Sequence, residues 1–273
     1  MHELPLLVFT LFLQGSVGAT LWLALAPQPQ VSAQAARQRV FPIAATAFAL
    51  ACIGLIASTL HMGYPLNALN ALRHVGSSWL SREIIFASLY LACLGLASLL
   101  LLAKKPGWKG LLVVAACLGA IDVFCMAQIY MHTSVVTWQH FNTLILFFGT
   151  VGIVGSVIIA FACMDNVEPR QTTTLRIAAA IAMLVVLIRL IVQPLWMADI
   201  AAADVSIVTL PHHPVALLQQ MQGFHVLSQT LSVVGMLVFA AGLFRNKRLA
   251  IMAGSIGLVI GEVMLRYVFF SIG

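Results

Sequence analysis

Charged side chains are scarce in this sequence of 273 residues: Asp, Glu, Lys and Arg make up 8% of it, against about 25% in an ordinary soluble domain. So little charge cannot cover a water-facing surface, which excludes a soluble globular fold and leaves lipid as the solvent for most of the chain. There is no C-x-x-C pair either. The five cysteines, Cys52, Cys93, Cys117, Cys125 and Cys163, lie apart within apolar stretches. Structural zinc and iron–sulfur clusters need clustered thiolates, so neither is expected in this chain, and the cysteines read as small core hydrophobes. The alternating apolar–polar rhythm of a membrane β-barrel strand is missing. The N-terminus has no basic region ahead of its first apolar run, which argues for a span there rather than a cleaved signal peptide.

What is present is apolar. Hydrophobic residues make up 62% of the chain and the mean hydropathy is +1.03. Runs long enough to cross a bilayer lie at about 4–26, 41–62, 83–103, 110–131, 141–163, 175–197, 224–244 and 249–271. The reading is an all-α polytopic membrane protein of eight transmembrane helices, a single domain over residues 1–273. The glycines from Gly149 to Gly155 form a face suited to close helix packing in lipid.

The net charge of +6 reflects topology, not an affinity for nucleic acid. Arg37, Arg39, Lys104, Lys105, Lys109, Arg170, Arg176, Arg245, Lys247 and Arg248 all fall in alternate loops. The intervening loops hold only Arg73 and Arg82. By the positive-inside rule the ten-charge side is cytoplasmic, and both termini face outward, to the periplasm. All eight histidines, His2, His61, His74, His132, His140, His212, His213 and His225, fall on the outward side. A titratable rim on one face suits a site that exchanges protons with water there.

The densest polar stretch is the outward loop 61–83. Leu66, Leu69, Leu72 and Val75 recur every three residues, the pattern of a short amphipathic helix in the interface. Gly63 and Pro65 stop the second span, and Ser81 is placed to cap the third, which puts Glu83 in its first turn. A carboxylate there is stabilised by the helix N-terminus alone. Paired across the loop with His61, it is also a candidate proton acceptor for a quinol, whose oxidation releases two electrons and two protons.

This loop carries a resemblance. His61-Met62-Gly63-Tyr64-Pro65 and Ser78-Trp79-Leu80-Ser81-Arg82-Glu83-Ile84 resemble the anchor subunit of the dimethyl sulfoxide reductase family, as do the opening His2-Glu3-Leu4-Pro5 and the closing Gly261-Glu262-Val263-Met264-Leu265-Arg266. The resemblance implies a menaquinol-oxidising, heme-free anchor in the bacterial inner membrane. Itself non-catalytic toward the final substrate, it would pass electrons to an iron–sulfur subunit and on to a molybdopterin catalytic subunit. It carries the quinol-site roles onto His61 and Glu83, with Tyr64 and Arg82 as further quinol-binding candidates. Arg73-His74 stands where the resemblance leads one to expect an Asn-Arg pair, so the basic side chain is displaced by one residue.

Four ionisable residues lie inside spans: Asp122, Arg189, Glu262 and Arg266. Unpaired charges there cost several kcal/mol, so pairing is expected: Glu262 with Arg266 at i,i+4 on one helix, and Asp122 with Arg189 between the fourth and sixth spans. Gln14, Gln128 and Gln193 are further polar groups for such a network. Two other functions fit less of the pattern. A diheme or monoheme cytochrome b anchor needs facing histidines at matched depth; His61, His140 and His225 share a level that suits one heme, and no ligands stand deeper for a second. A small-solute transporter is expected to show inverted repeats and matched broken helices, whereas only Pro194 interrupts a span.

Overall fold

The computed structural model describes residues 4–25, 32–61, 70, 72–164, 169–202 and 214–272. Their order is α1 (Leu4–Leu25), α2 (Ala33–Arg39), α3 (Phe41–His61), α4 (Trp79–Leu102), α5 (Trp108–Met131), α6 (Asn142–Cys163), α7 (Pro169–Ala202), α8 (Pro214–Gln220), α9 (Gln222–Arg245) and α10 (Arg248–Ser271). Single 3-10 turns stand at Leu72–His74 and Val136–Trp138. No strand occurs among the described residues. Eight of the helices are long and apolar enough to cross a membrane, as the sequence predicts. In lipid a helix is the form in which a lone segment satisfies its own backbone.

The boundaries are set by local chemistry. Ser78, in extended conformation, accepts from the N–H of Ser81 at 3.3 Å and caps α4. The third span therefore starts at Trp79 and not at 83, Ser81 lies inside it, and Glu83 sits in the second turn and not the first. Asn246 adopts the left-handed region at φ 51°, and its N–H bonds the Gly242 carbonyl, which turns α9 into α10 within two residues. Two seven-residue helices, α2 and α8, occupy stretches expected to be loop. Ser32 caps the first of these by accepting from Ala35 N–H. The amphipathic helix expected from the recurrence of Leu66, Leu69, Leu72 and Val75 falls mostly outside the described residues; its visible end is the 3-10 turn at Leu72–His74.

Helix α1 is the most deeply buried span and packs on α3, α5, α6 and α10. The α4–α5 and α9–α10 hairpins flank it, and α7 packs on α6 and α9. One apolar core gathers α1, α3, α4, α5, α6 and the C-terminal end of α10, and a second gathers α6, α7, α9 and the N-terminal part of α10, so α6 and α10 belong to both, and α1 crosses α6 at the seam. There the backbones touch. A Cβ on Gly18 would stand 2.2 Å from the Val151 carbonyl oxygen, and one on Gly155 would stand 2.6 Å from the Gly18 carbonyl carbon. Only glycine permits so close a crossing. Of the glycine face predicted in the fifth span, Gly155 meets α1, while Gly152 faces Ile181 and Val185 of α7 and Gly149 faces Arg189.

Polar side chains tie the first core together. Ser16 Oγ donates to Ala47 O at 2.6 Å and lies 2.5 Å from Tyr90 Oη, which is also 2.9 Å from Thr20 Oγ1. The outward surface of the bundle is Leu, Ile, Val and Phe, for example Ile56, Leu99, Leu187, Leu237 and Ile256, all exposed as lipid-facing residues are. Cys117 is exposed there too, against the expectation of a core position, while Cys125 is buried; all five cysteines are free.

Candidate functional site

Because the spans alternate in direction, the C-terminal ends of α3, α5, α7 and α10 and the N-terminal ends of α1, α4, α6 and α9 share one end of the bundle. His61, His74, His132, His140 and His225 all stand there. At this end α4 carries Glu83, buried and 6% exposed. Its neighbour Arg82 folds back on the preceding loop, donating from Nε to Val75 O at 2.9 Å and from Nη2 to Gly76 O at 2.7 Å. The guanidinium also lies 4.3 Å over the Trp79 ring, and Trp79 in turn packs against Phe124 and His132 of the α5 end. Two donors of Arg82 are thus spent on holding the mouth of α4 in place.

On α5, Asp122 is fully buried and close enough to Glu83 for the two carboxyls to interact electrostatically. Neither oxygen of Asp122 has a hydrogen-bond partner among the described residues. His61 ends α3, which packs directly on α4, but its imidazole lies outside the described atoms, as does the whole of Tyr64. The described half of the predicted pair is therefore Glu83, which α5 supplies with an acidic neighbour that sequence spacing did not suggest.

The intramembrane charges pair differently from the expectation. Arg189 of α7 grips Glu262 of α10 with both terminal nitrogens, Nη1 on Oε1 and Nη2 on Oε2. Asp122 is not its partner. Arg189 Nη2 also donates to Leu146 O at 3.0 Å. Nor does Arg266 pair directly with Glu262. Its Nη2 donates to Gln14 Oε1 at 2.6 Å and to Thr150 Oγ1 at 3.0 Å, and the Thr150 hydroxyl donates to Glu262 Oε2 at 2.7 Å. Two facts explain the exchange. A guanidinium arriving from a facing helix can meet a carboxylate fork-on-fork, a geometry that an i,i+4 neighbour does not offer. And Gly149 leaves the space: a Cβ there would stand 2.6 Å from Arg189 Nη2. Arg266 is then enclosed by aromatic rings, 4.1 Å over Phe147 and 5.9 Å from Phe269. Tyr130 and Trp138 extend that cluster to the rim, where Trp138 Nε1 donates to Phe269 O at 2.7 Å.

Of the other histidines, His140 uses both ring nitrogens, accepting at Nδ1 from Asn142 N–H and placing Nε2 3.1 Å from an oxygen of Asp199. His225 Nε2 meets Gln193 Nε2 at 2.8 Å. No group of three or more potential metal ligands occurs among the described residues.

Over residues 1–272 the sequence matches the family described as DMSO reductase anchor subunit (DmsC). The protein belongs to this family of anchor subunits. It is 34% identical over 214 residues to the C-chain of the anaerobic dimethyl sulfoxide reductase of Escherichia coli (strain K12), an alignment covering 76% of this sequence and 72% of that protein. To the YnfH polypeptide of an anaerobic dimethyl sulfoxide reductase of the same organism it is 32% identical over 207 residues, 73% of this sequence and 71% of the relative. To the corresponding C-chain of Haemophilus influenzae it is 32% identical over 174 residues, 63% and 62% of the two. No solved structure matches.

Within this anchor subunit, Thr150 and Gln14 connect Arg266 to Glu262 and to α1. Gln14 was visible as an intramembrane polar group. Thr150 was hidden in a run of small residues that sequence alone presents as a packing face.

Proposed function

We propose that this anchor subunit oxidises menaquinol at the histidine-bearing end of its bundle and passes the electrons to an iron–sulfur subunit, which serves a molybdopterin catalytic subunit. The full-length family match, and the alignment over more than two thirds of a dimethyl sulfoxide reductase C-chain, support the assembly. The ten-to-two distribution of loop Lys and Arg supports a bacterial inner-membrane orientation with this end, and both termini, outward.

The observation that carries the chemistry is Glu83: a carboxyl held out of water at the capped start of a span, on the rim that collects the histidines. Quinol gives up two protons with its two electrons, and a desolvated carboxyl beside the ring accepts one of them. His61, at the end of the adjoining span, is the acceptor for the other. Arg82 positions this mouth by bonding the 75–76 carbonyls. No redox centre is needed in the protein itself, provided quinol binds within tunnelling distance of the partner's cluster, which places that partner over residues 61–83.

The test is turnover of the assembled complex with a menaquinol analogue, set against turnover with a soluble one-electron donor that reduces the iron–sulfur subunit directly. Glu83→Gln and His61→Ala are expected to cut quinol-driven turnover by about 100-fold or more, within the range lost with a positioned acid–base group, and to leave donor-driven turnover intact. Undiminished quinol-driven turnover in both variants overturns the assignment.

A further inference from the structure

A second polar cleft lies at the same end of the bundle but on the other flank. Three empty spaces meet at His225. One, a narrow space of about 30 Å³, lies between α6, α7, α9 and α10 and is lined by Asn142, Arg189, Gln193, Trp196 and Gln229 besides His225. The next, about 280 Å³, opens beside Met197 and Leu218. The third, about 390 Å³, follows the lipid-facing side of α9 past Thr230, Val233 and Val234. Together they reach the size of a site for a lipid-soluble molecule, with a polar head end and an apolar trough leading away from it.

The head end has donors without acceptors. When Gln193 Nε2 donates to His225 Nε2, the neutral imidazole carries its proton on Nδ1. That nitrogen is shielded from solvent and has no partner among the described residues. The same holds for Nε of Arg189, a residue only 4% exposed. Buried donors left so are costly, and a ligand oxygen would relieve them. The charge of Arg189 is already cancelled by Glu262, so the cleft offers no excess positive charge to a phosphate. Trp196 lies with its ring 6.3 Å from that of His225, and Phe269 also lines the cleft, which suits a flat ring. A neutral head with acceptor oxygens, a planar ring and a long apolar tail describe an isoprenoid quinone.

We infer that the cleft around His225 and Gln193 is a second quinone-binding site, independent of the Glu83 end. A ring oxygen accepts from His225 Nδ1–H, the ring lies beside Trp196, and the tail follows α9. The two sites are kept apart by the α1–α6 seam, since α4 packs on α3 and α5 while α9 packs on α7 and α10.

The experiment is photolabelling of the assembled complex in nanodiscs with an azido-naphthoquinone bearing an isoprenoid tail, followed by mapping of the modified peptides. Labelling is expected within 189–234, competed by unlabelled menaquinone and not by phosphatidylglycerol. It should weaken about three- to tenfold in His225→Phe and in Gln193→Leu, the loss of one hydrogen bond, and persist in Glu83→Gln. Subunit stoichiometry of each variant checks folding, and Gln193→Asn serves if Gln193→Leu does not assemble. Labelling confined to 61–83, labelling equally suppressed by phosphatidylglycerol, or labelling unchanged in both the His225 and Gln193 variants overturns the proposal.

Discussion

At the scale of single residues, the structure redistributes partners that composition could only count. Two acids and two bases inside the spans suggested two pairs. Instead Glu262 serves Arg189 directly and Arg266 through Thr150, while Asp122 stands apart beside Glu83. The consequence is measurable. Glu262→Gln should cost about 3–5 kcal/mol in unfolding from mixed micelles, because it leaves Arg189 buried without its counter-charge. Asp122→Asn breaks no hydrogen bond among the described residues and should stay within about 1 kcal/mol of the wild type. In double-mutant cycles with Arg189→Gln, the Glu262 variant should show coupling and the Asp122 variant should be additive within about 0.5 kcal/mol. Coupling in the Asp122 cycle would restore the pairing expected from sequence.

At the scale of helices, the deciding contacts are backbone to backbone. The α1–α6 crossing leaves no room for a methyl group at Gly18 or Gly155, so Gly18→Ala is expected to abolish accumulation of the protein in the membrane fraction. Gly110, on α5 with nothing within 4 Å of an added Cβ, is the matched control: Gly110→Ala should be neutral or stabilise by about 0.5–1 kcal/mol, the ordinary helix preference. Normal accumulation of Gly18→Ala, read by immunoblot beside that control, would mean that the crossing yields more easily than its geometry implies. The start of α4 lies one turn earlier than the sequence suggests: Ser81 reads there as its cap, whereas the extended conformation at Ser78 lets that side chain accept from Ser81 N–H and begins the helix at Trp79. Helices α2 and α8 were not legible, because seven residues are too few to develop an apolar period.

At the scale of the whole molecule, orientation is the testable quantity. Reporter fusions or cysteine labelling should place residues 104–109 in the cytoplasm and the loop around 133–140 outside. The opposite result would reverse the positive-inside assignment and put the Glu83 rim on the cytoplasmic face. The candidate site was partly legible at this scale: the clustering of histidines at one end follows from span counting alone. The neighbour that α5 brings to Glu83, and the cleft that α7 and α9 form around His225, involve residues 39 and 32 positions apart in the sequence (83 to 122, 193 to 225), and no local pattern records which helices touch.

The sequence by itself therefore determined the solvent, the number of spans and the end of the bundle at which the histidines collect. Each of these follows from hydropathy, length and span counting, properties that are summed along the polypeptide and need no knowledge of neighbours. Only the tertiary structure decided which charges meet, which glycines carry the crossing and where unsatisfied donors face empty space. In lipid, where apolar surface is indifferent to its partner, those choices rest on the close fit of small residues and on hydrogen bonds between helices distant in sequence.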